Sequence, residues 1–275
     1  MKIEIVVKNK EKLKDAIYGL AVGDAVGVPY EFEKRGTFTA TGMIGNGSHH
    51  QPAGTWSDDT GLTLAACDSI KQCKCVNTFD ILCRFRQWLS EGMYTCDGRI
   101  FDVGATTSIA IANGYGATGE RSNGNGSLMR IIPLAFCDFD ENLVGEVSAI
   151  THAHELSRRT CYEYVCVASK LLDGIDIKDA IKECSGRIPN IYELEENDIN
   201  SSGYVIDTFE AAIWSVSTTE NYRDAILKAV NLGRDADTVG AVTGGLAGIM
   251  YGYEGIPKEW IETLRGKEIV ESCLW

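Results

Sequence analysis

The sequence predicts an all-α protein, and three observations point to that class. Apolar residues recur at helical spacing through most of the 275 residues, in roughly twelve segments. Strand-like alternation is nearly absent, and only Met1–Lys8 reads as one short strand. Asn, Thr, Pro and Gly stand where the helical segments begin and end. No repeat, linker or low-complexity tract interrupts the chain, so we expect one domain over residues 1–275.

Two helices in the first third follow from their apolar faces and their end signals. The pattern predicts a helix over Glu11–Val28, which Pro29 ends because proline cannot continue the hydrogen-bond ladder. A later helix is expected to begin at Asn77 and Thr78, whose side chains can cap its first turn, and to run to Gly92.

The second half of the chain continues as short helices joined by polar turns. One opens at Thr151–His154, a second covers Ile177–Cys184, and an aromatic-rich third contains Thr208–Trp214. A fourth, Asn221–Val230, leads into the stretch with the clearest chemical signal.

That stretch, Asn231–Gly248, has a glycine turn, two aspartates, a threonine and a long run of small apolar residues. Asp235 and Asp237 would point to opposite sides inside a helix, but at a helix start both can face one ion. Free backbone N–H groups and the positive end of the helix dipole stabilise carboxylates there, and Thr238 shares a face with Asp235. The glycines that follow cost about 1 kcal/mol each relative to alanine, which implies close helix packing.

Thr55–Thr60 has the same design, because Ser57, Asp58 and Asp59 open another apolar helix. Either cluster alone is more simply interpreted as a helix cap. Together they offer four carboxylates and two hydroxyls without cysteine or histidine, an all-oxygen set that suits Mg²⁺, Mn²⁺ or Ca²⁺ and not zinc. If the clusters converge, cations must accompany them, because so many carboxylates cannot all stay ionised at close range.

Two further acids have a plain and a chemical interpretation. Glu31 lies between Tyr30 and Phe32, so it is either a surface acid or a pocket acid that the aromatic rings partly desolvate. Asp102 precedes a small-residue helix, and there it is either a cap or a catalytic carboxylate.

The remaining candidates lie in glycine-rich or turn segments. The loop Gly119–Gly126 leads to Ser127 and can either cradle a phosphate with its N–H groups or be a plain mobile loop. His49 and His50 could bind metal, but in a glycine-rich loop the exposed interpretation is favoured. His152, at a helix start, is more often a structural residue.

Composition excludes some classes of function. The formal net charge of −13 argues against broad binding of nucleic acid or anionic membranes. The ten cysteines are scattered without zinc-site spacing, which suggests buried free thiols in a reducing cytosol. The longest apolar run, Val239–Tyr251, is below spanning length, so we expect a soluble, cytoplasmic protein, monomeric by default.

Seven segments together resemble the ADP-ribosylglycohydrolases, a family that includes dinitrogenase reductase-activating glycohydrolase and the ADP-ribosyl-acceptor hydrolases. The resemblance covers nearly the whole chain in order, and the two separate acidic motifs make it specific. The matching segments are Gly23–Gly27, Tyr30–Phe32, Trp56–Thr60, Phe101–Gly104, Gly124–Arg130, Thr151–His152 and Gly233–Thr238.

The resemblance implies a compact, orthogonal multi-helix bundle with two Mg²⁺ or Mn²⁺ ions in a cleft. By motif position it assigns the metal ligands to both acidic clusters, the diphosphate to a glycine loop, His152 to the ribose or phosphate end, and Tyr204 to adenine. Arg234 departs from the family, which often has a small or amide residue there. The implied ligands are Ser57, Asp58, Asp59, Asp235, Asp237 and Thr238, and the loop residues are Gly124, Asn125, Gly126 and Ser127.

The implied reaction releases ADP-ribose from a modified protein side chain, arginine favoured over serine, by hydrolysis at C1 of the distal ribose. Asp102 is the candidate acid/base or sugar-orienting carboxylate, and Glu31 the candidate base or metal-adjacent gate. A hydrolase of another ADP-ribose conjugate or small nucleotide remains an alternative, as does a non-catalytic ADP-ribose-binding protein.

Overall fold

Helices account for the regular structure of residues 9–275, as the sequence predicts. The computed structural model describes residues 9–275, and the strand expected over Met1–Lys8 lies outside that range. Within residues 9–275 there is no β-sheet, only three isolated bridges. The helices are α1 (Lys10–Gly27), α2 (Asp58–Cys73), α3 (Thr78–Glu91), α4 (Ala105–Asn113), α5 (Glu141–Ser148), α6 (Glu155–Leu172), α7 (Ile177–Cys184), α8 (Val205–Ser217), α9 (Tyr222–Asn231), α10 (Ala236–Tyr251), α11 (Lys258–Thr263) and α12 (Lys267–Cys273).

The predicted end signals set several of these bounds. Asn77 caps α3 by accepting hydrogen bonds from the N–H groups of Phe79 and Asp80, and Gly92 ends the helix in the left-handed conformation. The α6 helix begins at Glu155, because the His154 side chain accepts a hydrogen bond from the Leu156 N–H group.

The centre of the fold is the contact between α1 and α10, where glycines face glycines. A Cβ atom on Gly19 would lie 2.2 Å from the carbonyl oxygen of Gly244, and one on Gly23 would lie 2.1 Å from that of Gly240. Gly27 meets the Cα atom of Asp237 in the same way, at 2.3 Å. The helix backbones therefore touch, which explains why so many glycines are tolerated in α10 and fixes where its first turn lies.

Aromatic hydroxyls complete this packing. The buried Tyr222 hydroxyl donates to the Gly19 carbonyl at 2.6 Å, and the buried Tyr164 hydroxyl donates to the Val242 carbonyl at 2.8 Å. Each helix of the pair thus has its backbone position fixed by a side chain from a third helix.

The cysteines are all free, and four of the ten are buried, whereas the other six are half-buried. The expectation of free thiols is confirmed, although full burial holds only for some of them. Within residues 9–275, no helix combines the length and the apolar character that a membrane span requires.

Candidate active site

The first turn of α2 forms one wall of the site. Ser57 is its N-cap and accepts a hydrogen bond from the Asp59 N–H group, while its hydroxyl donates to Asp59 Oδ2 at 2.9 Å. Ser57, Asp58 and Asp59 are all buried, so two adjacent carboxylates are held away from bulk water.

Asp24, on α1, holds this turn in place. Its carboxylate accepts hydrogen bonds from the N–H groups of Ser57 and Thr60 and from the Thr60 hydroxyl, at 2.6 to 3.1 Å. Burial nevertheless raises the pKa of Asp24 to about 7. Its role was not recognised in the sequence, where it reads as one acid among small helix residues.

The first turn of α10 meets the first turn of α2, as the sequence predicts. The Thr238 hydroxyl lies 3.5 Å from Asp59 Oδ2, a direct approach of the two acidic clusters. Asp237 is fully buried, and its Oδ1 accepts a hydrogen bond from the Thr238 N–H group at 2.9 Å. Asp235 occupies the N-cap position of α10.

Two carboxylate oxygens in this junction are buried without a hydrogen-bond partner within the described residues, namely Asp59 Oδ1 and Asp237 Oδ2. Burial is the main cause that raises the pKa values of Asp58, Asp59 and Asp237 well above their usual range, and neighbouring carboxylates add to it. Unpaired buried oxygens in an all-oxygen cluster fit divalent ions such as Mg²⁺ or Mn²⁺, which would compensate both the charge and the missing bonds.

A second group of donors adjoins the first. Single ligand atoms from Glu31, His49, Asp102 and Asp237 all lie within 4.8 Å of one another. His49 Nε2 contacts Glu31 Oε2 directly and lies 3.9 Å from Asp102 Oδ1. Asp237 belongs to both groups, so the two form one continuous polar centre.

Glu31 and Asp102 are pocket acids and not surface acids. Burial, and then the nearby Asp235 carboxylate, raise the pKa of Glu31 to about 8. Burial and the Glu31 carboxylate raise the pKa of Asp102 to about 7. The Asp102 backbone has φ 59°, a left-handed conformation that is costly for a residue with a side chain and that is common at functional sites.

His49 is the residue that the sequence interpretation placed wrongly, because it is not exposed. The loop around it turns back through a bridge between Asn46 and Gln51, and the His49 ring packs between Phe32 and Phe101 at 5.7 and 5.2 Å. The flanking aromatic residues were visible in the sequence, but their meeting depends on distant segments. His50 is exposed, as expected.

A cleft of about 420 Å³ opens over these carboxylates. Three of the predicted ligands, Ser57, Asp59 and Asp237, are buried and do not line it. The other predicted site residues that do line it are Glu31, Asp58, Asp102, Gly124, Asn125, Gly126, His152, Asp235 and Thr238.

The opposite wall is the glycine loop. Asn125 Nδ2 donates to Asp235 Oδ2 and to the Thr208 hydroxyl, both at 2.9 Å, and so ties the loop to the acidic cluster. A Cβ atom on Gly126 would lie 2.9 Å from His152 Cε1, so the missing side chain leaves the imidazole at the surface of the cleft. Burial lowers the pKa of His152 to about 3, which keeps the ring neutral.

Two predicted substrate contacts lie apart from the cleft surface. The Ser127 side chain is fully buried and accepts a hydrogen bond from the Ser148 hydroxyl at 3.0 Å, so only its backbone could reach a ligand. Tyr204 is 43% exposed, and its bridge to Gly124 places it beside the glycine loop without lining the cleft.

Comparison with known proteins shows the family to which the chain belongs. The sequence model described as ADP-ribosylglycohydrolase matches residues 7–274. The chain belongs to this family. The resemblance inferred from the sequence motifs is thereby confirmed.

Individual family members cover most of the chain. The ADP-ribosylarginine hydrolase Tri1 of Serratia proteamaculans is 34% identical, over 96% of this chain and 78% of its own length. The ADP-ribosyl-[dinitrogen reductase] glycohydrolase of Rhodospirillum rubrum is 31% identical, over 90% of this chain and 88% of its own. A solved structure described as an ADP-ribosylglycohydrolase-related protein complex superposes with a TM-score of 0.82 at 28% identity, covering 96% of both chains. The predicted all-α bundle of this family is confirmed.

Proposed function

We propose that this ADP-ribosylglycohydrolase is a metal-dependent enzyme that releases ADP-ribose from a modified protein side chain, arginine favoured over serine. The observation that carries the proposal is a pair of buried oxygens, Asp59 Oδ1 and Asp237 Oδ2, that have no hydrogen-bond partner among residues 9–275 and lie at the junction of two helix starts beneath an open cleft. The printed names of the two bacterial relatives, an ADP-ribosylarginine hydrolase and an ADP-ribosyl-[dinitrogen reductase] glycohydrolase, support the reaction class.

The proposed ligands of two Mg²⁺ or Mn²⁺ ions are the residues of the two acidic clusters. When bound, the ions would orient the ribose hydroxyls and lower the pKa of a water molecule. The six candidate ligands are Ser57, Asp58, Asp59, Asp235, Asp237 and Thr238.

The bond changes define what the other residues must do. Hydrolysis joins a water oxygen to C1 of the distal ribose, breaks the bond from C1 to the acceptor atom, and moves one proton from the water to the departing acceptor. Positive charge develops on the sugar, and nearby carboxylates stabilise it. Asp102 and Glu31, whose pKa values of about 7 and about 8 lie close to neutral pH, are our candidates for holding and moving that proton.

His49 then acts as a positioning residue for Glu31. Its Nε2 contacts the Glu31 carboxylate, and the two aromatic rings on either side limit its motion. The proposed diphosphate cradle is the backbone of Gly124–Ser127, with the neutral His152 imidazole at the ribose or phosphate end and the exposed Tyr204 ring near adenine.

Two broader expectations accompany the proposal. We treat residues 1–275 as one domain, because α1 and α10, from distant parts of the chain, pack backbone against backbone. The ten free cysteines support a cytoplasmic location, since disulfides are rare in reducing compartments.

The test measures release of labelled ADP-ribose from arginine-modified and from serine-modified protein, with Mg²⁺, with Mn²⁺ and with chelator. We expect metal-dependent release from the arginine conjugate. Asp102→Asn should lower turnover by about 100-fold or more while ADP-ribose still binds, and Asp179→Asn, an exposed residue on α7, serves as the matched control. Equal losses of turnover and of ADP-ribose binding would refute the catalytic role, and release that chelator does not affect would refute the metal dependence.

A further inference from the structure

A second groove adjoins the cleft and shares the side chain of Phe32 with it. Its volume is about 590 Å³, and its other lining residues come from three segments: Lys34 and Arg35 just after Phe32, the stretch Asn197–Ser201, and Leu232 with Arg234. Pockets of this size hold several ligand groups. The groove therefore lies where the part of a substrate that leaves the cleft past Phe32 would meet the protein.

The charge of this groove is opposite to that of the chain. The formal net charge is −13, yet the charged residues that line the groove are Lys34, Arg35 and Arg234, and its described lining contains no acid. A groove whose charged residues are all cations indicates a preference for an anionic partner. The rest of this acidic protein repels such a partner, so the groove is where it would bind.

One of the three cations is committed to the fold. The Arg35 guanidinium donates to the carbonyl oxygens of Leu232, Glu196 and Ile199 at 3.1, 2.7 and 2.5 Å, and the Glu196 carboxylate also acts on it. Arg35 thus joins the walls of the groove and is not available to a ligand.

The other two cations are available. Lys34 and Arg234 are both exposed, and within residues 9–275 neither side chain forms an ion pair or a hydrogen bond. Each of these two unpaired cations in the groove can form an ion pair with a carboxylate of a ligand. The desolvation cost is small, because both side chains remain in contact with water.

Two residues of the groove, Phe32 and Arg234, have an unfavourable backbone conformation. Phe32 and Arg234 have φ values of 66° and 63°, where a residue with a side chain is strained. The Phe32 N–H group donates to the Arg234 carbonyl at 2.5 Å, and the Arg234 N–H group donates to the Glu33 carbonyl at 2.7 Å. Glycine would occupy position 234 without strain, so the presence of an arginine there, next to Asp235, suggests a use for its side chain.

We propose that this groove, with Lys34 and Arg234 as its free cations and Phe32 at its entrance, binds an acidic segment of the acceptor protein beside the modified residue. The inference rests on the proposed function, since it requires an ADP-ribosylated protein in the cleft. The groove then selects acceptors by the charge of their sequence, whereas the cleft recognises only the ADP-ribose group that all acceptors share.

The test compares three substrates: ADP-ribosylated free arginine, an ADP-ribosylarginine peptide flanked by Asp and Glu, and the same peptide flanked by Asn and Gln. In the wild-type protein we expect a KM about fivefold lower for the acidic peptide than for the neutral one. The Lys34→Gln/Arg234→Gln double variant should lose that difference without a change in kcat/KM on ADP-ribosylated arginine. Lys10→Gln is the matched control, because this exposed lysine lies at the opposite end of α1.

Three outcomes would overturn the inference. One is an equal KM for the acidic and neutral peptides in the wild-type protein. Another is a loss of activity on ADP-ribosylated arginine in the double variant as large as on the acidic peptide, which would place the cations on the substrate's own diphosphate. The third is a difference between the peptides that 0.5 M salt does not reduce, since exposed charge pairs are screened at about that concentration.

A separate measurement distinguishes this inference from the proposed function. If ADP-ribosylated arginine is not hydrolysed, the proposed function fails, and the groove is tested by the fluorescence anisotropy of the labelled, unmodified acidic peptide. Binding that weakens in the double variant and not in Lys10→Gln would support the groove alone. Equal binding to both variants would overturn it.

Discussion

Gly244→Ala tests whether contact between the α1 and α10 backbones sets the geometry of the site. The new Cβ atom would lie 2.2 Å from the Gly19 carbonyl oxygen, whereas ordinary contact begins at 3.4 Å. The helices must therefore separate by the difference, 3.4 − 2.2 = 1.2 Å, because no flexible side chain can move aside. Overpacking of this kind costs about 3 kcal/mol, and alanine returns about 1 kcal/mol of helix propensity.

The net loss is then about 2 kcal/mol, which corresponds to a fall in Tm of about 4–8 °C for a chain of this size. Separation of the helices should also move Asp237 away from Asp59 and weaken Mn²⁺ binding. Thermal unfolding followed by circular dichroism and titration calorimetry with Mn²⁺ measure the two effects.

Two alanine variants serve as controls for this prediction. Gly245→Ala lies in the same helix but meets the flexible end of Ile132, so its loss should be smaller. Gly186→Ala, with no atom within 4 Å, should change the free energy of unfolding by less than about 0.5 kcal/mol. A Gly244→Ala variant as stable as the wild type, or one that loses no more than Gly245→Ala, would show that the helices tolerate separation.

Three further predictions concern individual side chains of the site. Asp237→Asn should raise the Kd for Mn²⁺ at least about tenfold by calorimetry, because it removes the negative charge of a buried, proposed metal ligand. An unchanged Kd would exclude Asp237 as a ligand. His49→Gln should lower kcat about tenfold by freeing the Glu31 carboxylate, while His50→Gln should not, and equal kcat values for the two variants would contradict the positioning role. The pKa of His152 falls from its usual value near 6.5 to about 3 in the folded protein. Between these pH values the unfolded chain binds a proton that the folded protein does not, so this contribution to the free energy of unfolding is present above pH 6.5 and is lost as pH falls towards 3. His152→Gln should consequently lose less stability than the wild type between pH 7 and pH 4.5 in urea unfolding, and parallel losses would disprove the shift.

The helices were predictable where local signals act alone. The α7 helix has the predicted bounds, Ile177–Cys184, and α3 begins and ends at its predicted caps. The α8 helix contains the predicted Thr208–Trp214 but begins at Val205, next to a bridge between Tyr204 and Gly124. Such a contact joins distant segments and leaves no local pattern.

The acidic clusters were predictable for a chemical reason. Two helix starts that each carry paired carboxylates are hard to explain separately, and a cation bound between them would explain both, so the sequence alone predicts that the two clusters lie together. His49 and Ser127 show the limit of that reasoning. The ring of His49 reaches Glu31 only because its loop packs on Pro29, and the Ser127 hydroxyl turns inward to Ser148.

The pairing of α1 with α10 also constrains how the protein is made. About 200 residues separate the end of α1 from the start of α10, so at 5–20 residues per second the ribosome needs roughly 10–40 s to complete the partner. During that interval the glycine face of α1 lacks its α10 partner, and the turn that Asp24 holds supplies only the α2 residues of the proposed ligand set. A chain interrupted before Asp235, the N-cap of α10, would contain most of the helices and yet lack three of the six proposed metal ligands.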